Sequence, residues 1–545
     1  MWWSVMENVE PSGSPRVTPL LQRKRATSLS ALSALLVACS AAPPQAQTAA
    51  APPPPPIPTT VPVTAPTIDA RALPPPSGLA PDWLFPAIKD TSEANGLGIR
   101  LVQRRSLPLV YLELVVKSGS ASDKDKPGLA AVAGELLKAG GAGKWTGTTL
   151  VDAAESLGSS LDVTTDRDST RITLAVTTEH FRDALDILAA VATKPRFDPG
   201  EFAKLKQREH DRVASLAKTS AGWAASMVLY RRLFELPSAV HPYSHFDATP
   251  TEIDAIKLAD CKAWHAREFS PKNAFLVVAG DVEDAPLAEA VHASFGAWKG
   301  DAAEEPNFTA PVPPNALSIF LVDRPASAQA EVYVATLGPE RKSPEWPVLR
   351  TTNQILGGGV TGRLFLDVRE KRSLAYRTRS SVESLAHGPV PIVLSAGTQT
   401  AKTGLTLQAL LEQFDGLTKN APTDEETAIA TRYLSDVFLV GVDTVGTIAG
   451  MTADLGIYGL PNDYYDTYRT AVRAVSKQAV FELSQEYFKP EKAIVVVAGD
   501  AARLTAPLSH FGAVQIVDAE HGFVIKSKAA QDPTAPIELP RINGT

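Results

Sequence analysis

The chain has 545 residues, more than the roughly 250–300 residues that a single hydrophobic core usually serves, so two or more domains are expected. Hydrophobic residues make up 44% of the chain and charged residues 21%, the composition of an ordinary globular protein. The formal net charge is −7 and no run of five or more Lys or Arg occurs, which argues against nucleic acid or an anionic lipid surface as a main partner.

The first 38 residues are predicted to be a cleaved signal. A basic start at Arg23 and a short apolar stretch lead to Leu36-Val-Ala-Cys39. The stretch is far shorter than the ~20 residues that span a bilayer, and the pattern looks like a bacterial lipoprotein signal with its lipobox. Lipidation of Cys39 would anchor the protein in the bacterial cell envelope, and Ser40 after it favours the outer membrane facing the periplasm. The alternative is a chance match in an alanine-rich stretch.

A proline-rich and alanine-rich segment follows the signal. Ala, Pro, Thr and Gln dominate residues 41–75, a composition that cannot bury a core, so residues 39–80 are predicted to be a disordered tether. Polyproline rises ~3.1 Å per residue, so this tether could hold the body tens of ångströms from a membrane. With Cys39 assigned to the lipid, Cys261 has no disulfide partner and is predicted to be a free, buried thiol.

One segment of the sequence occurs twice. Residues 269–281 read FSPKNAFLVVAGD and residues 488–500 read FKPEKAIVVVAGD. In each copy the pattern predicts a helix that ends near the Pro, a continuous apolar strand, and a Gly-Asp turn that ends the strand. The body is therefore predicted to consist of two copies of one domain.

The patterns within each copy predict both strands and helices. Residues 109–116 are predicted to form a strand, and the apolar residues between Ile172 and Val176 alternate as on a half-buried strand. The apolar residues from Phe181 to Val191 instead follow helical spacing. Each copy is thus an α+β domain, an α/β sandwich whose mixed sheet is covered by helices. The expected bounds are residues 81–300 and 317–520 for the domains, 301–316 for the linker between them, and 521–545 for a tail.

A series of short motifs runs through both copies in a fixed order. They are residues 117–123 (KSGSASD), Gly128-Leu-Ala130, Phe197-Asp198, His241-Pro-Tyr243, residues 321–325 (LVDRP), Gln329 and residues 362–376 (GRLFLDVREKRSLAY). Over about residues 85–515, their order and spacing resemble the pitrilysin/insulinase family of zinc peptidases. The resemblance implies two homologous domains that form one half-shell of a closed chamber, with a partner chain supplying the other half.

The family's zinc ligands are missing from this sequence. Active members carry His-x-x-Glu-His on the helix after Gly-Leu-Ala, where histidines four apart grip one zinc and the Glu between them is the general base. The first His matches Ala131, the Glu matches Gly134 and the second His matches Glu135, while the third ligand, a Glu, matches Arg212. The resemblance therefore implies a degenerate metal site, with no metal and no catalytic residue in this chain alone.

Other ligand sites are not predicted. His241 and His245 are four apart, but Pro242 argues against a helix there, so His241 is predicted to be a loop residue. Residues 357–363 (GGGVTGR) have the glycine spacing of a phosphate-binding loop, but Arg replaces the required Lys. The shorter stretch Gly357-Gly-Gly359 is interpreted mainly as a turn.

The resemblance gives Arg369 and Tyr376 a role. In active members the matching Arg and Tyr reach over the zinc and hold the substrate backbone and the developing oxyanion, as donors that stabilise transition-state charge. Their presence in a chain without zinc ligands resembles bacterial heterodimers of the family, in which one subunit carries zinc and the other contributes this pair. The alternative is that Arg369 lies in an ordinary charged helix end and that Tyr376 is a half-buried strand residue.

These observations favour a non-catalytic, substrate-binding subunit of a heteromeric zinc metallopeptidase that acts on peptides or unfolded proteins. The expected partners are a zinc-bearing homologous subunit in a heterodimer, the peptide substrate, and a membrane through the lipid anchor only. The alternative is a stand-alone peptide-binding or scaffolding lipoprotein with no peptidase partner. A neighbouring gene for a homologue with intact His-x-x-Glu-His would favour the first hypothesis, and its absence the second.

Overall fold

The computed structural model describes residues 83–539. The predicted signal, Cys39 and the predicted tether lie outside the described residues. Within them the chain forms two β-sheets, one in each of the two halves that the repeated segment defines. No helix of residues 83–539 is long and apolar enough to cross a lipid bilayer.

The first half builds a six-stranded sheet with flanking helices. Its strands are β1 (Ile88–Ser92), β2 (Gly98–Gln103), β3 (Leu109–Val116), β4 (Asp162–Thr165), β5 (Thr170–Thr177) and β6 (Ala274–Gly280). Its helices are α1 (Leu129–Ala139), α2 (Gly147–Ser156), α3 (Phe181–Thr193), α4 (Pro199–Thr219), α5 (Ala221–Leu233), α6 (Pro250–Ala255), α7 (Leu258–Glu268) and α8 (Asp284–Phe295). Strands β3 and β5 and helix α3 lie where the sequence patterns predicted them.

The second half builds a seven-stranded sheet. Its strands are β7 (Ser318–Asp323), β8 (Gln329–Glu340), β9 (Ala375–Val382), β10 (Pro389–Gln399), β11 (Ile494–Gly499), β12 (Val514–Asp518) and β13 (Val524–Ala529). Its helices are α9 (Trp346–Gly357), α10 (Thr403–Lys419), α11 (Asp424–Val440), α12 (Val445–Ile457), α13 (Tyr464–Arg473), α14 (Lys477–Tyr487) and α15 (Ala501–Ser509). A π-helical stretch, Leu364–Lys371, precedes β9 and is called the π segment below.

Five strands in each sheet share one topology. Their strand orders are β1-β2-β6-β3-β5-β4 and β13-β12-β7-β11-β8-β10-β9. In the first sheet, β2 and β6 run parallel, and the pairs along β6, β3, β5 and β4 are antiparallel. In the second sheet, β7 and β11 run parallel, and the pairs along β11, β8, β10 and β9 are antiparallel. Strands β6 and β11 carry the repeated apolar sequence and are buried throughout. The predicted duplication and the α/β sandwich are confirmed.

Each sheet is covered on its second face by a helix from the opposite half. Helix α12 packs against β2, β3 and β6 of the first sheet, and helix α5 packs against β7, β8 and β11 of the second. Helices of the same half, such as α3 on β3 and β5 and α10 on β8 and β10, also pack on each sheet. Because helices α5 and α12 are exchanged, neither half completes its own core.

Glycines let the exchanged helices approach the sheets closely. A Cβ atom added at Gly456 of α12 would lie 2.6 Å from the ring of Phe275, and one at Gly446 would lie 3.2 Å from the ring of Tyr111. In the other half, a Cβ at Gly222 of α5 would lie 3.0 Å from the hydroxyl of Tyr333. A larger residue at any of these positions would require the facing aromatic side chain to move.

A buried ion triad joins the two halves beside helix α12. The guanidinium of Arg171 on β5 donates to Asp454 of α12 at 2.8 Å and to Glu113 of β3 at 3.2 Å. All three side chains are almost completely removed from solvent. Removing one member would leave a buried charge without its counter-ion, which typically costs ~3–5 kcal/mol.

The close packing of α12 predicts opposite effects for two glycine substitutions. Gly→Ala within a helix usually adds up to ~1 kcal/mol of stability, but overpacking of a tight core costs ~1–3 kcal/mol. Gly456→Ala is expected to lower the free energy of unfolding by about 1–2 kcal/mol. Gly450→Ala, in the same helix with no atom within 4 Å of the added Cβ, is expected to leave it unchanged or raise it. Urea denaturation checks both variants, and equal midpoints would contradict the proposed tight contact.

Candidate functional site

Helix α1 carries the positions that match the family's zinc motif, and its start is fixed by Asp123. The Asp123 carboxylate accepts hydrogen bonds from the backbone N–H of Gly128 at 2.8 Å and of Ala130 at 2.7 Å. Gly128 has a φ of 86°, a conformation that glycine adopts without strain. Burial raises the pKa of Asp123 to about 8. The motifs KSGSASD and Gly-Leu-Ala thus define where this helix begins.

The exposed face of α1 carries no zinc-binding pair. Ala131 and Glu135 lie one turn apart and are both exposed, and the Glu135 carboxylate accepts a hydrogen bond from Arg208 of α4 at 2.9 Å. Gly134, in the place of the general base, faces strand β4, where an added Cβ would lie 2.2 Å from the hydroxyl oxygen of Thr165. A side chain at position 134 would therefore clash with Thr165 unless that residue moved.

Arg212, in the place of the third zinc ligand, is held by a network of carboxylates. Its guanidinium forms a two-point ion pair with Asp247, both contacts being 3.0 Å, and donates to Glu209 at 2.7 Å. The indole N–H of Trp223 donates to the same Asp247 at 2.8 Å. Hydrogen bonding to Asp247 raises the pKa of Arg212 above its ordinary value. A permanent cation is thus fixed where the family places a metal ligand.

This donor set does not fit zinc. Structural and catalytic zinc sites use Cys, His, Asp or Glu, and at these positions Ala131 offers no donor, Arg212 offers a positive charge, and Glu135 is paired with Arg208. Across residues 83–539, no group of three or more His, Cys, Asp or Glu is placed to hold a metal ion.

The histidines that are four apart have structural surroundings. His241 lies in a loop, as predicted; it is buried, stacks on Phe234, and its Nδ1 accepts a hydrogen bond from the backbone N–H of Tyr243. Burial lowers the pKa of His241 to about 4, so the ring is neutral at ordinary pH. The Tyr243 hydroxyl bonds to the Asp168 carboxylate, whose other oxygen accepts the backbone N–H of Ala386 in the second half. The His-Pro-Tyr motif therefore helps to connect the two halves.

Two further predictions concern a turn and a thiol. Residues 358–362 form a turn after α9, as predicted. The guanidinium of Arg363 is engaged by Glu426 at 2.6 and 2.9 Å, so it is not available to a phosphate group. Cys261 is a free, buried thiol, and burial raises its pKa to about 12. None of these groups forms a reactive centre.

Arg369 and Tyr376 lie on successive elements at the edge of the second sheet. Arg369 belongs to the π segment and its side chain is 45% exposed; it contacts the ring of Phe365 and the carboxylate of Glu370 at 3.5 Å. Tyr376 lies at the start of edge strand β9 and is 52% exposed. No hydrogen bond or ion pair within residues 83–539 links either side chain to the degenerate metal site.

The hydroxyl of Tyr376 rests on a buried carboxylate. It donates to Glu331 of β8 at 3.2 Å, and the same Glu331 oxygen accepts Arg377 at 2.9 Å. The other oxygen of Glu331 is buried and has no hydrogen-bond partner within the described residues. Partial burial and the nearby Glu331 raise the pKa of Tyr376, so its hydroxyl remains a donor at neutral pH.

Several partners of these residues were not found from the sequence. Asp247 and Trp223, which fix Arg212, come from a loop and from helix α5, so no regular spacing connects them to position 212. Glu331 precedes Tyr376 by an entire helix and turn. Strand alternation places Glu331 and Tyr333 on the same face of the sheet, and only this pattern could have indicated Glu331 as a partner of Tyr376.

Two family descriptions match this chain, one within the first half and one that runs from the end of the first half into the second. Residues 101–227 match "Insulinase (Peptidase family M16)" and residues 255–434 match "Peptidase M16 inactive domain"; together they span more than half of the chain. The crystal structure of a peptidase M16 inactive domain from Pseudomonas fluorescens is similar, with a TM-score of 0.70 and 26% identity over 76% of this chain and 98% of that chain. A protease from Helicobacter pylori shares the fold, with a TM-score of 0.67 and 19% identity over 76% of this chain and 100% of that chain.

Curated relatives include proteins named with and without peptidase activity. The "Non-peptidase homolog YmxG" of Helicobacter pylori is 25% identical over 386 residues, 69% of this chain and 85% of its own length. The "Zinc protease PqqE" of the same species is 23% identical over 278 residues, 49% of this chain and 61% of its own length. With the duplicated sheets, the altered metal positions and both family matches in agreement, the chain belongs to peptidase family M16, the pitrilysin/insulinase family, as a member without the His-x-x-Glu-His motif.

Proposed function

We propose that this chain is the non-catalytic, substrate-binding subunit of a heteromeric M16 zinc metallopeptidase that acts on peptides or unfolded proteins. The observation that carries the proposal is the exposure of Arg369 and Tyr376 on a chain whose metal position is occupied by a fixed arginine. About half of each side chain is exposed, although Tyr376 donates to Glu331 and Arg369 contacts Glu370 and Phe365. They remain available to a peptide held by this chain and a zinc-bearing partner.

The chemistry of the pair suits a peptide bond under attack. Arg369 offers a planar fork of donors, and Tyr376 offers one hydroxyl donor. In our proposal both donors act in trans on the peptide carbonyl oxygen as it gains charge, next to a zinc ion bound by the partner. The proposed zinc belongs to that partner alone.

The relatives support the existence of such a partner. Helicobacter pylori has both a protein named "Zinc protease PqqE" and one named "Non-peptidase homolog YmxG", and this chain is similar to each. A homologue named as a zinc protease and one named as a non-peptidase therefore coexist in one organism. A stand-alone peptide-binding lipoprotein is the second candidate, and the experiments below separate the two.

We further propose that the subunit is lipid-anchored through Cys39 in the bacterial cell envelope, at the outer membrane facing the periplasm. The basis is the basic start, the apolar stretch and the Leu-Val-Ala-Cys39 sequence. A proline-rich tether would then place the two-domain body away from the membrane surface, where peptides can reach it.

The metal-site residues predict that the purified full-length chain binds no stoichiometric zinc and cleaves no peptide by itself. Ala131 and Arg212 supply no ligand, and Gly134 has no side chain to act as the general base. Elemental analysis after extensive dialysis, together with a peptide hydrolysis assay, checks this expectation. One zinc per chain with chelator-sensitive hydrolysis would contradict it.

Substitution of the exposed pair should affect turnover and leave the fold unchanged. In the reconstituted complex, Arg369→Ala and Tyr376→Phe are each expected to lower kcat/KM on an unstructured peptide by tenfold or more, the scale of a lost transition-state donor. Melting temperature and partner binding should hardly change. Lys371→Ala is the matched control, because Lys371 lies in the same π segment and is 80% exposed.

Two outcomes would contradict the role in trans. Full activity with both substitutions would leave this chain a scaffold for its partner. A large fall in melting temperature for either variant would show that the side chain is structural.

The lipid anchor predicts a change in fractionation. Cys39→Ser removes the sulfur that would carry the lipid, so the variant is expected in the soluble periplasmic fraction, while the wild type stays with membranes. Mass spectrometry of the wild-type N-terminal peptide provides the direct check. Membrane association of the variant, with no lipid on the wild type, would show that the anchor is absent.

A further inference from the structure

A cavity of about 350 Å³ opens between helices α9 and α11 of the second half. These two helices correspond to α1 and α4 of the first half. Helices α1 and α9 follow the matching strands β3 and β8, and helices α4 and α11 are each the second helix after the matching strands β5 and β10. The cavity therefore lies at the counterpart of the degenerate metal site. In the first half the pair α1 and α4 is joined by the Glu135–Arg208 ion pair, whereas the second half has an opening.

The walls of this cavity are largely apolar. They are formed by Ile355, Val360, Leu366, Ile429 and Ala430. Val360 and Leu366 are more than half exposed, which is unusual for side chains that gather around one opening. The volume falls at the lower end of the ~300–1,000 Å³ typical of small-ligand and side-chain sites.

One buried polar side chain lines the cavity without a partner. Gln354 of α9 is 6% exposed, and within residues 83–539 its amide makes no hydrogen bond. The amide lies beneath the glycine turn that follows α9: a Cβ at Gly358 would lie 2.4 Å from its Oε1, and one at Gly359 would lie 3.3 Å from its Nε2. The amide opens to the cavity, so its donor and its acceptor can bond to a ligand there.

The chemistry of the cavity indicates an extended peptide. A Gln amide carries both a donor and an acceptor, which complements the N–H and C=O of a peptide main chain. The apolar walls suit one aliphatic or aromatic side chain. Glu425, exposed at the rim, takes part in no ion pair or hydrogen bond within the described residues and favours a basic neighbour in the peptide.

The cavity also adjoins the candidate substrate residues. Leu366 in its wall and Arg369 belong to the same π segment. Residues three apart on a helical segment lie roughly 5–6 Å from each other, so a bound peptide can reach both within a few of its own residues.

We infer that the cavity between α9 and α11 is a peptide-binding subsite that takes an apolar side chain, with Gln354 holding the peptide main chain and Glu425 attracting a basic residue beside it. The inference deepens the proposed function, since it names the peptide class that this subunit selects. The test of this inference measures peptide binding by this chain alone. A negative result would therefore refute the subsite and leave the proposed role of Arg369 and Tyr376 in turnover untouched.

The test uses the full-length chain and two fluorescein-labelled, unstructured peptides of the same length. One has a single Leu next to a Lys in a Gly/Ser background, and the other has Asp in place of that Leu. In fluorescence anisotropy the wild type is expected to bind the Leu peptide at least tenfold more tightly than the Asp peptide. Ile429→Asp and Gln354→Met should each weaken binding of the Leu peptide about tenfold or more.

Two controls separate the subsite from folding defects. The first control is Tyr433→Asp. Tyr433 lies one turn from Ile429 on the same helix, is similarly exposed and does not line the cavity, so this variant should bind the Leu peptide like the wild type. Gln354→Met replaces an unpaired amide with an apolar side chain of similar length, so the melting temperature should stay the same or rise.

Several results would overturn the inference. They are no measurable binding of the Leu peptide, equal binding of the two peptides, and unchanged binding in Ile429→Asp and Gln354→Met. A fall in melting temperature for Gln354→Met would also count against it, because the amide would then be structural. If Ile429→Asp prevented assembly with the zinc-bearing partner and left peptide binding unchanged, the cavity would be a subunit interface.

Discussion

The reciprocal covering of two sheets by two exchanged helices is the constraint on which the rest of this structure depends. Helix α5 leaves the first half to cover the second sheet, and helix α12 returns from the second half to cover the first. Glycines facing the sheets allow the close contact, and the Arg171–Asp454 ion pair fixes α12 against β5. The helices that carry the two candidate sites pack around sheets whose cores this exchange completes. Each site thus depends on residues of the opposite half.

At the degenerate metal site, ion pairs stand where active members have zinc ligands. In active members a zinc ion would join α1 to α4 through two histidines and a glutamate. Here Glu135 joins the helices by its ion pair with Arg208, while Asp247 holds Arg212 in place. Because Gly134 lies directly against Thr165, the change extends beyond the ligands to the packing of strand β4. Reintroducing ligands at Ala131, Glu135 and Arg212 would still leave Gly134 without a side chain to act as the general base.

Much of the fold was accessible from the sequence because its signals are local. The repeated segments predicted the duplication, and alternation or helical spacing predicted β3, β5 and α3. The exchange of α5 and α12 was not predicted, since an apolar helix face does not specify which sheet will cover it. For the site, the resemblance to the family identified the altered zinc positions. The partners of Arg212 and the unpaired Gln354 depend instead on contacts between distant elements. Such contacts leave no periodic signal in the chain.

The exchange of helices also sets the order in which the protein can mature as its chain enters the compartment where it folds. The last strand of the first sheet ends at Gly280, but the helix that covers its second face ends at Ile457. All of the intervening chain must arrive before that face can be covered, and domains otherwise tend to fold as units from the N-terminus. Until then the first half presents a bare sheet face, and the apolar face of α5 waits for strands β8 and β11. The period in which chaperones and proteases compete for the chain is therefore fixed by topology and cannot be shortened by a more stable first half.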